Sequence, residues 1–354
     1  MSAPAAKPRV GFLGTGWIGR HRMQAIVETG AVEAVAVCDP SPECVDAALQ
    51  VAPGAAAAPS LEAMLDHGLE GLVIATPSAL HAEQSIAALE RGVAVFCQKP
   101  LGRNAAEARA VIEAARVADR LLAVDLSYRH TAAVEAIAGP IRRGELGTIF
   151  AADLTFHNAY GPDKPWFFDR SQSGGGCVVD LGVHLVDLAL WLLDFPAVEN
   201  VTSRLFAGGQ PLSPSSSEVE DYATARLDLA GGTTVRLACS WNLHAGRDAV
   251  IEASFYGSEG AATFGNVNGS FYDFEAHLHR GTQSEALAGP PDDWGGRAAA
   301  AWARRLAEDR GFDAEATRLE DLSVVLDRIY APTGGGQEIA ADDSPSLTKG
   351  KTGT

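Results

Sequence analysis

The feature that most constrains the fold is a glycine motif near the N-terminus, Gly14-Thr15-Gly16-Trp17-Ile18-Gly19. It follows a short apolar run, Arg9–Leu13, and opens a helical pattern over Trp17–Thr29. In such a strand–turn–helix unit the first glycine makes the tight turn, the second lets a pyrophosphate approach the backbone, and the third lets helix and strand pack closely. Asp39, twenty positions after Gly19, ends the next β-rich run and is placed to bind an adenosine ribose. These features predict a dinucleotide site that includes Gly14, Gly16, Trp17, Ile18, Gly19 and Asp39.

The first 125 or so residues alternate short apolar runs with helical patterns, which is typical of βαβ units and a parallel sheet covered on both faces. Ser41 before Pro42, Ser78 after Thr76-Pro77, and Asn104 ahead of Glu107 are candidate helix N-caps. The predicted strands are Arg9–Leu13, Val32–Cys38, Leu72–Ala75, Val93–Cys97 and Leu121–Asp125.

After about residue 150 the runs lengthen and alternate, which predicts a mostly antiparallel sheet with one face covered. We therefore expect an N-terminal Rossmann domain over 1–127, an α/β domain with a large open, mainly antiparallel sheet over 128–332, and a disordered tail over 333–354. A flexible loop is expected over 208–217. The predicted strands are Ile149–Phe156, Val201–Phe206, Tyr222–Leu229, Thr233–Trp241, Val250–Tyr256 and Phe271–His279, and the predicted helices are Val183–Leu193, Arg297–Asp309 and Arg318–Tyr330.

Charge and cysteine content narrow the class of protein. The 28 Lys and Arg against 45 Asp and Glu give a net charge of −17, which disfavours binding to nucleic acid or anionic membranes. The five cysteines form no CxxC pair, so we expect reduced thiols in a cytoplasmic protein. Met1–Pro8 lacks the apolar core of a secretory signal, and we expect no apolar run long enough to span a bilayer.

Two further segments carry candidate acid–base groups. Gln98-Lys99-Pro100 follows a predicted parallel strand, at the sheet edge where ligands of such folds bind. Asp180 and His184 lie four positions apart after three glycines, so a helix would place them on one face, continued by Asp187. The glycines would leave room for a ligand. Taken alone, the first segment is better explained by a solvent-exposed loop lysine, and the second by an ordinary exposed Asp–His pair or a packed core histidine.

The order of motifs along residues 8–330 resembles the glucose–fructose oxidoreductase / inositol dehydrogenase family, Gfo/Idh/MocA. The motifs that carry the resemblance are the glycine motif, Thr76-Pro77-x-x-x-His81, Lys99-Pro100, Tyr128-Arg129, Arg143-Gly144-Glu145-Leu146-Gly147 and the 174–187 segment GGG-x-x-x-D-x-G-x-H-x-x-D.

The resemblance implies an NAD(P)-dependent oxidoreductase acting on a hydroxyl carbon of a sugar, inositol or related polyol. It assigns Thr76, Pro77 and His81 to the cofactor cleft and Lys99, Asp180 and His184 to catalysis, and it implies a homodimer or homotetramer formed through the C-terminal sheet. The family usually has Glu before the Lys-Pro pair, whereas this chain has Gln98.

The chemistry assigns a role to each catalytic residue. Oxidising a carbinol requires a proton acceptor, a task suited to His184. Asp180 would orient the imidazole or hold a neighbouring hydroxyl, and Lys99, which also borders the cofactor, would stabilise alkoxide character. Asp39 would repel a 2′-phosphate, which favours NAD over NADP without excluding the latter.

Further substrate contacts come from segments that could face the cleft. His277 and His279 are spaced like metal ligands, but with no third ligand nearby we expect no metal site. The candidate contacts are Arg129, His157, Tyr160, Trp166 and Asp169, followed by Trp241 and His244.

Three other functions remain open at this point. An NAD-dependent glycoside hydrolase would oxidise its sugar transiently and accumulate no NADH. A non-catalytic dinucleotide-binding regulator would not need the three acid–base residues. Reduction of a C=N or C=C bond would need a less polar pocket.

Overall fold

The computed structural model describes residues 6–213 and 216–331, so the predicted tail and part of the predicted 208–217 loop lie outside the described residues. The N-terminal part is a six-stranded parallel sheet of order β3-β2-β1-β4-β5-β6. This confirms the predicted Rossmann architecture. Its strands are β1 (Arg9–Leu13), β2 (Glu33–Cys38), β3 (Ala56–Ala57), β4 (Gly71–Ile74), β5 (Ala94–Cys97) and β6 (Leu122–Val124). The helices of this part are α1 (Trp17–Glu28), α2 (Pro42–Val51), α3 (Leu61–Leu65), α4 (Ser78–Glu90) and α5 (Ala105–Ala118).

Two of the three predicted helix caps form. The Ser41 hydroxyl accepts from Cys44 N at 3.3 Å, and Asn104 Oδ1 accepts from Glu107 N at 2.9 Å. Ser78 is instead the first residue of α4, which begins without a side-chain cap. The parallel strands are buried along most of their length, which explains their continuous apolar runs.

The C-terminal part is a nine-stranded sheet of order β15-β14-β13-β12-β7-β11-β10-β8-β9, antiparallel except where β11 runs parallel to β7. Alternate residues of β7 are buried against the helices, so one face is covered, as predicted. Ala261–Asn266 and Gln283–Ala288 were not predicted as strands: the first is glycine-containing and the second mostly exposed and polar. The strands are β7 (Ile149–Asn158), β8 (Val198–Ala207), β9 (Gln210–Pro211), β10 (Tyr222–Leu229), β11 (Thr234–Ser240), β12 (Ala249–Gly257), β13 (Ala261–Asn266), β14 (Phe274–Arg280) and β15 (Gln283–Ala288).

Helices connect and cover the two sheets. A π-helical turn, Val178–Gly182, leads directly into α8. The remaining helices are α6 (Ala132–Arg142), α7 (Arg170–Ser173), α8 (Val183–Leu192), α9 (Arg297–Glu308) and α10 (Arg318–Tyr330), with 3₁₀ turns at Ser127–His130, Pro165–Phe168 and Ala314–Thr317.

The structure departs from the predicted domain division at α9. Trp302 and Leu306 of this helix join the core of the first sheet, and Trp302 lies 5.7 Å from Phe96 between ring centroids. The chain therefore returns to the N-terminal domain after building the second sheet, and 128–332 is not one uninterrupted unit.

One helical segment is long and apolar enough to span a bilayer, contrary to the expectation that the chain has no such run. The 23 residues Arg170–Leu192, whose most apolar window has a mean hydropathy of 1.5, could cross a membrane by length and composition alone. However, 89% of its most apolar window is buried inside the fold, as in the core helix of a globular protein.

Candidate active site

The glycine loop has the geometry of a dinucleotide cradle. Gly14 has a φ of +82°, and a Cβ there would lie 2.5 Å from Ala75 O. A Cβ on Gly19 would lie 2.0 Å from Gly14 O, whereas a Cβ on Gly16 would meet nothing within 4 Å. The fold itself thus requires the first and third glycines, and the second faces open space.

Two further observations show that this loop fits a pyrophosphate. Helix α1 starts without a side-chain cap, so its first N–H groups are available to an anion. The Thr15 hydroxyl is buried and has no hydrogen-bond partner among the described residues. Trp17 projects from the first turn with 64% of its surface exposed, stacked on His21, and Ile18 beside it is half-buried. The loop offers donors and space, which is what a dinucleotide needs.

Asp39 directly follows β2, beside the glycine loop. Its Oδ2 accepts from Thr15 N at 2.6 Å and its Oδ1 accepts from Ser41 N at 2.9 Å. The carboxylate therefore braces the loop, while its remaining lone pairs are available to ribose hydroxyls.

His81 connects two loops rather than facing the cleft. It is buried, with Nδ1 at 2.6 Å from Pro100 O and Nε2 at 2.7 Å from Thr76 O. Burial lowers the pKa of His81, and a neutral imidazole has one N–H to share between the two carbonyls. The structure therefore makes His81 a brace between the Thr76-Pro77 loop and the Lys99-Pro100 loop.

The centre of the site is a Lys99–Asp180 pair. Lys99 Nζ donates to Asp180 Oδ1 at 2.6 Å and to the Asp180 carbonyl at 2.7 Å, and the Lys99–Pro100 peptide is cis. Trp241 Nε1 donates to Asp180 Oδ2 at 3.0 Å. Both carboxylate oxygens are thus engaged, and the lysine at the end of β5 is tied to the π-helical turn of the second domain.

The three glycines before Asp180 serve the fold rather than ligand access. A Cβ on Gly175 would lie 2.0 Å from the Tyr330 hydroxyl, and one on Gly176 would lie 2.0 Å from Glu220 O. This corrects the expectation that the glycines leave room for a ligand, because protein atoms fill that space.

Glu220, which the sequence reasoning missed, anchors the start of the π-helical turn. Its Oε1 accepts from Gly176 N and Val178 N, each at 2.9 Å, and from the Tyr330 hydroxyl at 2.7 Å. Burial raises the pKa of Glu220, while these donors oppose the shift. No local sequence signal marks this residue, since its partners lie more than 40 positions away.

His184 lies on the first turn of α8, packed between aromatic rings. Its ring centroid is 4.8 Å from that of Tyr128 and 6.4 Å from that of Phe156. Burial, followed by the charges of Lys99 and Arg22, holds the pKa of His184 well below its usual range. The imidazole is therefore neutral near pH 7, the form that accepts a proton.

The structure corrects the idea that Asp180 orients His184. The two are four positions apart, but Asp180 sits on the π-helical turn, where residues are spaced differently from an α-helix. Its carboxylate turns to Lys99 and Trp241. The described residues show no hydrogen bond to the His184 ring.

Several predicted substrate residues are not brought to this centre. His157 shares a strand with Phe156, which packs near His184, so its side chain projects to the opposite sheet face. There it stacks on Tyr222 and lies 2.8 Å from Ser240 Oγ. Arg129 forms a two-bond ion pair with the buried Asp187, which explains both residues as structural.

Two other candidates lie on exposed loops. The Tyr160 hydroxyl donates to Asp248 at 2.6 Å, and Asp169 caps α7. Trp166 stacks on Phe167 at 3.8 Å, and this aromatic segment packs edge-on against Trp241. Trp166 thus belongs to the wall next to Asp180, whereas Tyr160 is held away by Asp248.

The described residues show no cluster of three or more His, Cys, Asp or Glu able to hold a metal ion. His277 and His279 stack on each other, and His279 Nε2 lies 2.9 Å from Thr263 Oγ1.

Comparison with known proteins identifies both parts of the chain. The family model described as "Oxidoreductase family, NAD-binding Rossmann fold" matches residues 8–126. The model described as "GFO/IDH/MocA C-terminal domain" matches residues 134–263.

Curated relatives extend the match over most of the chain. A D-glucoside 3-dehydrogenase of Escherichia coli is 26% identical over 81% of this chain and 83% of its own. A putative UDP-kanosamine synthase oxidoreductase subunit of Amycolatopsis mediterranei is 33% identical over 73% of this chain and 76% of its own. Among solved structures, levoglucosan dehydrogenase with NADH and levoglucosan superposes with a TM-score of 0.76 at 22% identity, covering 91% of this chain and 96% of the other. The last shows a shared fold.

Proposed function

The chain belongs to the Gfo/Idh/MocA family of NAD-binding oxidoreductases, and from this premise we propose that it is a sugar or polyol dehydrogenase. It would transfer a hydride between nicotinamide and a hydroxyl carbon of a sugar, inositol or related polyol. The observation that carries the proposal is the Lys99–Asp180 ion pair, at 2.6 Å, at the same sheet edge as the glycine loop. A buried neutral histidine, His184, completes the acid–base set.

Each residue of the site has a separate role in alcohol oxidation. When bound, NAD supplies the hydride acceptor. His184 accepts the hydroxyl proton, because it is neutral near pH 7 and has no competing hydrogen bond among the described residues. Lys99 stabilises negative charge developing on the reacting oxygen. Asp180 holds the ammonium of Lys99 in place. A remaining lone pair of its carboxylate would accept from a neighbouring substrate hydroxyl.

The surroundings of Asp180 support a carbohydrate substrate. Trp241, Phe168 and the stacked Trp166–Phe167 pair form an aromatic wall next to a carboxylate, and 51% of Phe168 is exposed. Aromatic faces pack against the C–H faces of sugar rings, while the carboxylate binds hydroxyls. The D-glucoside and levoglucosan dehydrogenases named above act on such rings, which supports the same class here.

NAD is proposed as the preferred cofactor. Asp39 places a carboxylate beside the glycine loop, and it would repel a 2′-phosphate at the ribose site. NADP remains an outcome of the cofactor measurements below.

We also propose a cytoplasmic homodimer or homotetramer that assembles through the outer face of the nine-stranded sheet. That face carries the exposed aromatic side chain of Tyr256 on β12, next to Phe255, which is buried on the covered face. Light scattering on the purified protein and on Tyr256→Lys measures the assembly. A wild-type monomer would contradict the oligomer.

The test is a panel of inositols, aldoses, glycosides and sugar phosphates, assayed with NAD for NADH formation. We expect NADH from at least one unphosphorylated sugar or polyol, formed roughly 10²–10⁴-fold more slowly by Lys99→Met, which keeps the length of the side chain without its charge. Cleavage of a glycoside without net NADH would assign the chain to the hydrolases. NAD binding with no turnover of any compound would favour a regulator and overturn the proposal.

A further inference from the structure

A second buried ion pair lies at the sheet edge beside the catalytic lysine. Asp125 follows β6 directly, is 1% exposed, and its Oδ2 accepts from Arg22 Nε at 2.6 Å. The same Oδ2 accepts from Gln98 Nε2 at 2.5 Å. Arg22 belongs to α1, the helix of the glycine loop, and Gln98 precedes Lys99 in the chain. One carboxylate therefore links the phosphate-binding helix to the catalytic loop.

The chemistry of the groups fixes the orientation of the Gln98 amide. An ionised carboxylate only accepts hydrogen bonds, so the amide NH₂ must face Asp125 and its carbonyl oxygen must face away. Two backbone hydrogen bonds connect the same strand ends: Asp125 N donates to Cys97 O at 2.9 Å, and Gln98 N donates to Ile74 O at 2.9 Å. The C-terminal ends of β4, β5 and β6 are therefore held side by side.

Only one oxygen of this carboxylate, Oδ2, has hydrogen-bond donors among the described residues. Asp125 Oδ1 is buried and has no hydrogen-bond partner among the described residues. A buried carboxylate oxygen without a donor is costly and clusters at functional sites. Arg22, in turn, is almost fully buried and depends on Asp125 for its counter-charge.

The position of Asp125 tells which part of a dinucleotide its charge acts on. A Rossmann sheet is built of two mononucleotide-binding halves. The glycine loop and Asp39 serve the adenosine side at β1 and β2, so the half formed by β4, β5 and β6 serves the nicotinamide side. Oxidised nicotinamide is a cation and reduced nicotinamide is neutral, so a nearby negative charge discriminates between them.

We propose that Asp125 sets the preference of this site for the oxidised cofactor, by neutralising Arg22 and by positioning Gln98 next to Lys99. The inference rests on the proposed use of NAD, but it concerns binding alone and needs no sugar. Asp125 acts as a positioning and electrostatic residue, not as a proton-transfer group.

The experiment compares Kd values for NAD⁺ and NADH, measured by tryptophan fluorescence and calorimetry without substrate. In Asp125→Asn the ratio Kd(NAD⁺)/Kd(NADH) should rise at least about fivefold, because a full charge is removed from a buried position and leaves the positive charge of Arg22 uncompensated. The double variant Gln98→Glu/Asp125→Asn transfers the carboxylate from position 125 to position 98, its hydrogen-bond partner. It should return the ratio close to the wild-type value. Arg22→Gln removes the positive partner and should lower the ratio.

A matched control separates this effect from loss of a buried ion pair in general. Asp187→Asn breaks the buried pair with Arg129 and should lower thermal stability while leaving the ratio unchanged. Equal weakening of both cofactor forms in Asp125→Asn, with no recovery in the double variant, would overturn the inference and make Asp125 a fold residue. If Asp125→Asn does not fold, an unchanged ratio in Arg22→Gln would overturn it. A wild-type protein that binds neither form would refute the proposed function itself.

Discussion

The sharpest test of the proposed chemistry is removal of the His184 imidazole. In His184→Ala the proton acceptor disappears, while the glycine loop and Asp39 that would hold the dinucleotide lie on the other domain. We expect kcat for oxidation to fall roughly 10²–10⁴-fold, the usual worth of a positioned acid–base group. That range corresponds to about 2.7–5.4 kcal/mol of lost transition-state stabilisation. The Kd for NAD should be nearly unchanged.

The pH dependence adds an independent readout. Burial and the charge of Lys99 hold the pKa of His184 well below 6.5, so the acidic limb of kcat/KM in the wild type lies below pH 6.5. His184→Ala should lose this limb. Lys99→Met removes one cause of the depressed pKa and should move the limb upward. The double variant should cost less than the product of the two single effects, since both groups act on one oxygen.

Packing effects need their own control, because His184 fills space between Tyr128 and Phe156. Phe156→Leu removes one neighbouring ring and leaves the imidazole, so it should lower the free energy of unfolding but change kcat little. Steady-state kinetics across pH, with denaturant unfolding of each variant, measures both quantities. A His184→Ala enzyme with near-normal kcat and a raised KM would refute the assignment and leave Lys99 or a water chain as proton acceptor.

Three further predictions follow from other parts of the structure. Asp39→Ala should weaken NAD binding more than NADP binding in calorimetry, and equal losses would place the carboxylate away from the ribose. Gly176→Ala should destabilise the fold by about 1–3 kcal/mol or more in denaturant unfolding, since its Cβ would lie 2.0 Å from Glu220 O; Gly16→Ala, whose Cβ meets nothing within 4 Å, should unfold like the wild type. The free energy of unfolding should fall as pH drops below 6.5, because the unfolded chain protonates buried histidines, among them His184 and His81, whose pKa the fold lowers. His184→Ala should reduce that slope.

Local patterns accounted for much of the architecture. β1 and α10 occur with the predicted bounds, and Ser41 and Asn104 cap their helices as expected. Caps, strand ends and glycine turns depend on residues a few positions apart, so their signals survive in a single sequence. β15 was missed because an exposed polar edge strand lacks the apolar alternation on which such predictions rest.

Errors arose where the side-chain direction depended on register or on a local change of helix type. His157 was expected in the cleft, yet period two along β7 turns it away from the face that packs near His184. The π-helical turn redirected Asp180 from His184 to Lys99. No reliable local sequence pattern indicates on which sheet face a side chain near a strand end lies, or where a single π-helical turn occurs.

The sequence by itself determined the dinucleotide loop, the order of the two sheets, and the identity of Lys99, Asp180 and His184 as chemically competent groups. Only the tertiary structure decided which distant residues meet around the site. Trp241 donates to Asp180, and Glu220 accepts from the backbone of the glycine segment. Asp125 accepts from Arg22 and Gln98. Those contacts join residues 27 to 103 positions apart. Which distant groups meet depends on the packing of whole sheets and helices, and the same packing buries His184 and keeps it neutral.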